Sequence, residues 1–171
     1  MQHDLAWLNS IPAEEAVDEL RQCCGSKRWA GQMAAARPFG NLADLIKQAH
    51  EIWWSLDSDD WLEAFRSHPK IGEKKTVETV SAQAAQWSSN EQASVTSASS
   101  ETTGELAKLN RTYEQRFGYI FIICATGKSS GEMLAALRER LGHSEAQELP
   151  LAAAEQSKIT ELRLKKLLTT P

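Results

Sequence analysis

Apolar residues recur at helical spacing along most of the chain. Between Pro12 and Cys24, the residues Ala13, Val17, Leu20 and Cys24 fall three or four positions apart, Glu14 and Glu15 occupy the first turn, and Gly25 follows. That pattern predicts a helix opened by Pro12 and ended by Gly25. Ser26 to Ala36 repeats the grammar and stops at Arg37-Pro38, Asn41 to Trp54 sets Leu42, Leu45, Ile46, Ala49 and Trp53 on one face, and Ser58 to Ser67 turns Trp61, Leu62 and Phe65 inward. Thr102 or Thr103 can cap a helix that carries Leu106, Leu109, Tyr113 and Phe117 in one stripe and closes at Gly118. Ser129 and Glu132 have capping-box spacing for a helix ending near Gly142. A last helix is expected from about Glu145 to Leu168, with Pro150 as the place for a bend. Val77 to Ser100, rich in Ala, Ser, Gln and Thr, is weakly periodic and reads as loosely held helix.

One run breaks the period. Tyr119-Ile120-Phe121-Ile122-Ile123-Cys124 is aromatic and β-branched, lies between Gly118 and Gly127, and reads as extended. No second strand is visible to pair with it, and an isolated two-stranded unit is only marginally stable. The expectation is an all-α fold, a single compact helical domain over residues 1–171, with one buried extended segment at about 119–125. The N–H and C=O groups of that segment need partners other than a sheet, which makes it a candidate edge for a ligand.

Composition narrows the class. With 171 residues, 42% apolar and 25% charged, the chain is long enough to bury a core without disulfide or metal staples. Nineteen Lys and Arg against 23 Asp and Glu leave a net charge of −4, so the cationic field that nucleic-acid binding needs is missing. No apolar run approaches the ~20 residues that span a bilayer, and the opening residues lack the basic-then-apolar order of a signal peptide. A cytoplasmic location is expected. Cys23 and Cys24 are neighbours and Cys124 lies in an apolar run, which reads as three reduced thiols rather than a disulfide framework.

Several segments invite a chemical reading. Ala125-Thr126-Gly127-Lys128-Ser129 follows an apolar run and opens a helix as a phosphate-binding loop does, but the glycine that loop requires five residues before Gly127 is Ile122. His3, His50, His68 and His143 show no paired metal-ligand spacing, so no metal is expected. His68 stands apart because Pro69 pushes it out of the α region immediately after an amphipathic helix, which fixes the direction of a side chain suited to proton transfer near neutral pH. The competing reading is a surface histidine that ends a helix. Glu91 follows Ser88 by three residues, so a capping box competes with a ligand-facing role for both. Arg163 has Ile159 and Leu167 as its helical neighbours, placing a guanidinium at the edge of an apolar stripe, either to snorkel to water or to pair with a ligand oxygen.

Together these residues form a set: Cys24-Gly25-Ser26-Lys27-Arg28-Trp29, Arg37-Pro38-Phe39, Ala64-Phe65-Arg66-Ser67-His68-Pro69-Lys70-Ile71-Gly72, Glu91-Gln92, Asn110 with Tyr113, Phe117-Gly118-Tyr119-Ile120-Phe121, Ala125-Thr126-Gly127-Lys128-Ser129, and Glu155-Gln156-Ser157-Lys158-Ile159-Thr160-Glu161-Leu162-Arg163-Leu164. In this order they resemble the 2-oxo-4-hydroxy-4-carboxy-5-ureidoimidazoline (OHCU) decarboxylase family of urate degradation. Separated motifs along nearly the whole chain make the resemblance more specific than any one of them. His143 departs from it, standing where the family usually has Asn.

The resemblance implies an all-α fold peculiar to the family and a cofactor-free decarboxylation that yields (S)-allantoin. Its catalytic His, Glu and Arg fall on His68, Glu91 and Arg163, and its substrate-binding Pro, Ser and Gln on Pro69, Ser88 and Gln92. The backbone it uses to hold the ring and ureido groups falls on Phe121, Ile122, Ile123, Cys124 and Ala125. A small-molecule substrate is then the expected partner, without nucleic acid or membrane, and a homodimer stays open. Two other classes remain open on the residues alone. One is a non-catalytic helical interaction module, for which Trp29, Trp53, Trp54, Trp61 and Trp87 could supply surface; the other is a different cofactor-free lyase or hydrolase on the same scaffold.

Overall fold

Six helices in this protein start where a short polar side chain accepts an N–H three residues on. Asp4, Ser26, Asn41, Ser81, Ser99 and Ser129 receive the N–H groups of Trp7, Trp29, Asp44, Ala84, Thr102 and Glu132. Each satisfies a donor that the first helical turn leaves unpaired. The computed structural model describes residues 3–71, 81–96 and 98–169, and most of these are helical, with no strand among them. The helices are α1 (Leu5–Ser10), α2 (Ala13–Cys23), α3 (Lys27–Ala35), α4 (Leu42–Ser55), α5 (Ser58–Arg66), α6 (Ala82–Glu91), α7 (Ala93–Thr96), α8 (Ser100–Phe117), α9 (Ser130–Arg140) and α10 (Glu145–Leu167). The chain divides into two compact units, Met1–Ala64 with Ser157–Pro171, and Phe65–Gln156.

In the first unit α2 packs on α3 and α3 on α4. Trp29 is fully buried there, and its indole N–H donates to the Ala49 carbonyl at 3.1 Å, tying α3 to α4. Arg37 clamps the end of α1 by donating to the Leu8 and Ile11 carbonyls at 2.7 and 2.9 Å. Asn9 and the Phe39 backbone exchange two hydrogen bonds of 2.9 Å. The Arg37-Pro38-Phe39 motif thus holds the fold together locally.

Cys24 is also buried in this unit, and burial pushes its thiol up to about 12 despite hydrogen bonds from Ser26 and Thr160 and the nearby Arg163 charge. The folded state therefore keeps a proton that the unfolded chain releases near the ordinary thiol value of 9.0. Stability from this group is complete below that value and is lost as the pH rises toward 12. Thermal melts between these limits should show a falling midpoint for the wild type and a shallower fall for Cys24→Ala. Parallel slopes would assign the alkaline loss elsewhere.

The second unit packs α8 on α9 around Leu106, Tyr113, Phe121, Ile123, Met133 and Leu137. Residues 121–125 are buried and non-helical, as the aromatic and β-branched run predicts. Gly118 ends α8 at φ +79°, a left-handed conformation that costs a glycine nothing.

The structure corrects several local expectations. Helices α1 and α7 are too short to register as a period. Pro12 caps α2 from outside, and the buried face of α2 is Ala16, Leu20 and Cys23 rather than the face of Ala13. Leu42 is 43% exposed, so the inward face of α4 is Leu45, Ala49 and Trp53. Helix α8 is capped by Ser99, ahead of Thr102 and Thr103, because Ser99 is the residue that keeps extended backbone before the turn. Within the Val77–Ser100 stretch α6 is capped at Ser81, while Val77 to Val80, Ser97 and the motif residue Gly72 lie outside the described residues.

Candidate active site

His68 sits where α5 ends. Its backbone N–H closes a turn on the Phe65 carbonyl at 3.2 Å, and Pro69 then forbids helix. Its ring Nε2 lies 2.6 Å from Oε1 of Gln156 on α10. Gln156 is 0% exposed. This engagement with a fully buried amide counts against the surface-histidine reading. Two further contacts fix the turn: the Phe65 ring lies 5.5 Å from that of Tyr119, and Lys70 pairs with Glu114 of α8 at 2.7 Å.

Glu91 and Ser88 are not a capping box. Helix α6 runs from Ala82 to Glu91 with Ser81 as its cap, so Ser88 lies inside the helix and Glu91 in its last turn. The signal was misleading because a Ser-x-x-Glu spacing occurs wherever a helix carries those residues on one face. That face holds Ser88, Glu91 and Gln92 at i, i+3 and i+4, with Ser88 buried and the other two half-buried. A helix C-terminus carries partial negative charge, so Glu91 gains no dipole stabilisation there. Its carboxylate is close enough to Cys124 to help push that thiol up, after burial as the main cause and alongside Glu155.

The non-helical segment finds its partners in side chains instead of a sheet. Glu155 on α10 accepts the Cys124 N–H at 2.8 Å, Arg140 donates to the Ile122 carbonyl at 2.5 Å, and the Lys128 ammonium donates to the Cys124 carbonyl at 2.8 Å. Lys128 thus folds back on its own loop, and Ser129 caps α9, so the Ala125–Ser129 motif is a turn. Behind the segment, Glu148 is 0% exposed and holds Arg140 at 2.5 Å, the Tyr113 hydroxyl at 2.5 Å and His143 Nδ1 at 3.0 Å. Arg140 also stacks 4.5 Å from the centre of the Phe121 ring. His143, the departure from the family pattern, is therefore joined to a buried carboxylate.

Within Phe65–Gln156 the structure joins His68 to Gln156, Cys124 to the adjacent Glu155, and Glu91 electrostatically to Cys124. Arg163 belongs to the other unit. It is 4% exposed and reaches the Gln22 carbonyl at 3.5 Å, so its guanidinium does not snorkel to water. Sequence reasoning gave no site role to Glu155 and Gln156, although both lie in a quoted motif, and missed Arg140 and Glu148. For Gln156 a signal existed, the one that flagged Arg163: a polar residue where the helical period calls for an apolar one.

A sequence-family model, OHCU decarboxylase, matches residues 9–165. The uric acid degradation bifunctional protein TTL of Arabidopsis thaliana is 41% identical over 91% of this chain, which spans 48% of that longer protein. The 2-oxo-4-hydroxy-4-carboxy-5-ureidoimidazoline decarboxylase of Amia calva is 30% identical over 98% of this chain and 96% of its own length. A crystal structure of OHCU decarboxylase in the presence of (S)-allantoin has a TM-score of 0.76 at 41% identity and covers 90% of this chain and 99% of that one. The match from residue 9 to 165 contains every motif that carried the resemblance, and on that ground this chain belongs to the OHCU decarboxylase family.

Proposed function

We propose that this protein is a carboxy-lyase that converts OHCU to (S)-allantoin in urate degradation, with no cofactor. The observation that carries the reading is His68, held at 2.6 Å by a fully buried amide in a chain that the family model matches from 9 to 165. In OHCU the carbon that loses CO2 bears a hydroxyl and adjoins a ring C=N bond. The electron pair of the breaking C–C bond moves into that imine, so the substrate supplies its own sink. The chain has to hold the carboxylate out of the ring plane, move a proton at the hydroxyl and protonate one ring face, which sets the S configuration. His68 is the acid/base. Glu91 orients the imidazole or the substrate, and Arg163 grips ring or ureido oxygens with its planar fork. Pro69, Ser88, Gln92 and the backbone of Phe121, Ile122, Ile123, Cys124 and Ala125 hold the remainder.

The same reading takes residues 1–171 as one OHCU decarboxylase-like domain, supported by the extent of the family match. It takes the partner to be this small molecule, neither nucleic acid nor membrane, in the cytoplasm. A net charge of −4 supports the first exclusion. Among the described residues no helix is long and apolar enough to cross a membrane, which supports the second. A homodimer is the assembly it allows.

Generating OHCU from urate with urate oxidase and hydroxyisourate hydrolase, and following circular dichroism, tests the activity. The protein should accelerate the appearance of optically active (S)-allantoin; an unchanged racemic decay overturns the proposal. Glu91→Gln keeps the shape and removes the charge. It should cut turnover roughly ten-fold or more, the worth of a charged hydrogen bond, at an unchanged melting temperature. Near-normal turnover would return Glu91 to a structural role.

A further inference from the structure

Two consecutive side chains of α10 reach different pieces of the candidate site. Glu155 anchors the Cys124 N–H of the non-helical segment, and Gln156 meets His68. Both lie in the Phe65–Gln156 unit, and both are buried. Burying a primary amide or a carboxylate without partners is costly, so their presence here is accounted for by what they hold. We propose that Gln156 is a positioning residue: its amide oxygen fixes His68 as the tautomer protonated on Nε2 and so sets the direction of the ring during proton transfer. The inference rests on His68 being the acid/base.

A neutral imidazole has one N–H and one lone pair, and an acceptor facing a ring nitrogen selects the tautomer with the proton there. The Oε1 of Gln156 is an acceptor only, it stands 2.6 Å from Nε2, and no rotation toward water is open to a side chain with no exposed surface. When His68 takes a second proton, Nε2 still donates to the same oxygen, so the contact survives both protonation states and the ring stays aimed through the proton transfer. Pro69 fixes the backbone direction and Gln156 fixes the ring about it. Glu155, one residue earlier, keeps the segment that carries Cys124 registered to the same turn of helix.

Nitrogen NMR of histidine-labelled protein decides the tautomer directly. The chain has four histidines, and His68→Ala identifies the missing signal. At a pH where the ring is neutral, wild-type His68 should show a pyrrole-like, protonated Nε2 and a pyridine-like Nδ1; the reverse pattern overturns the inference. Gln156→Met preserves length and volume but accepts no strong hydrogen bond. It should average the two tautomers and lower kcat by roughly ten- to a hundred-fold, the lower part of what a positioned acid/base contributes, with KM unchanged. A folded Gln156→Met with wild-type kcat also overturns it. If His68→Ala itself keeps normal turnover, the reading of His68 has failed, and that result is distinct from a dead His68→Ala beside an active Gln156→Met.

Discussion

Replacing His68 with Ala should lower the rate of allantoin formation by roughly 10²-fold or more, the usual contribution of a positioned acid/base. The loop setting alone predicts almost no change in stability, and the structure adds a small cost. Gln156 loses one hydrogen bond of its buried amide, for which the penalty is about 1 kcal/mol. In a chain of this size that lowers the melting temperature by about 2–4 °C. A shift of that size leaves the protein folded under assay conditions and cannot account for a hundred-fold loss. Retention of more than a third of the wild-type rate would remove His68 from the chemistry and leave its bond to Gln156 as a packing device.

The second large effect concerns stability. Glu148→Ala should destabilise the protein by roughly 3–5 kcal/mol and lower its melting temperature by on the order of 10 °C. The carboxylate is fully buried and is shared by Arg140, Tyr113 and His143. Truncation leaves the Arg140 guanidinium without its counter-charge in a site where the Phe121 ring, the Ile122 carbonyl and the neutral Tyr113 hydroxyl are what it still meets among the described residues. Burial and the hydrogen bond to Glu148 also hold the Tyr113 phenol well above its ordinary pKa, so the hydroxyl remains a donor seeking an acceptor. Lys47→Ala is the comparison. It removes the exposed ion pair with Glu51 at 3.8 Å and should cost under about 1 kcal/mol. Chemical denaturation of both variants gives the two numbers, and a Glu148→Ala loss no larger than that of Lys47→Ala would show that water or a rearranged Arg140 replaces the carboxylate. Because Arg140 holds the Ile122 carbonyl, turnover should fall with stability in Glu148→Ala but not in Lys47→Ala.

An interaction module would need the tryptophans at the surface. Trp29, Trp53 and Trp87 are buried core, and Trp54, 46% exposed, stands edge-on to Trp61 at 5.6 Å. One exposed indole packed on its neighbour is a modest surface feature beside the family match, so the tryptophans speak mainly for the fold.

What the sequence determined by itself is the part governed by neighbours three or four residues apart. The long helices α2 to α5 and α8 to α10 were legible because apolar period, Ser and Asn caps and terminal glycines act within one or two turns. The run from Tyr119 was legible as non-helical for the same reason, its aromatic and β-branched residues being bounded by Gly118 and Gly127. The family was legible because its motifs are short and ordered. Local rules failed where the local signal was weak or ambiguous. Ala, Ser and Gln offer little contrast between faces in α6, so the Ser88–Glu91 spacing fits a capping box at a helix start as well as a ligand-facing pair, and the residues belong to a helix end. Only the tertiary structure decided which partners meet. His68 and Gln156 are 88 residues apart in sequence, Tyr113 and Glu148 35, Cys124 and Glu155 31, and Ile122 and Arg140 18. No propensity encodes such pairs. They follow from burial, which removes water as a partner and obliges each amide, carboxylate and guanidinium to find the one complementary group that packing has brought within reach.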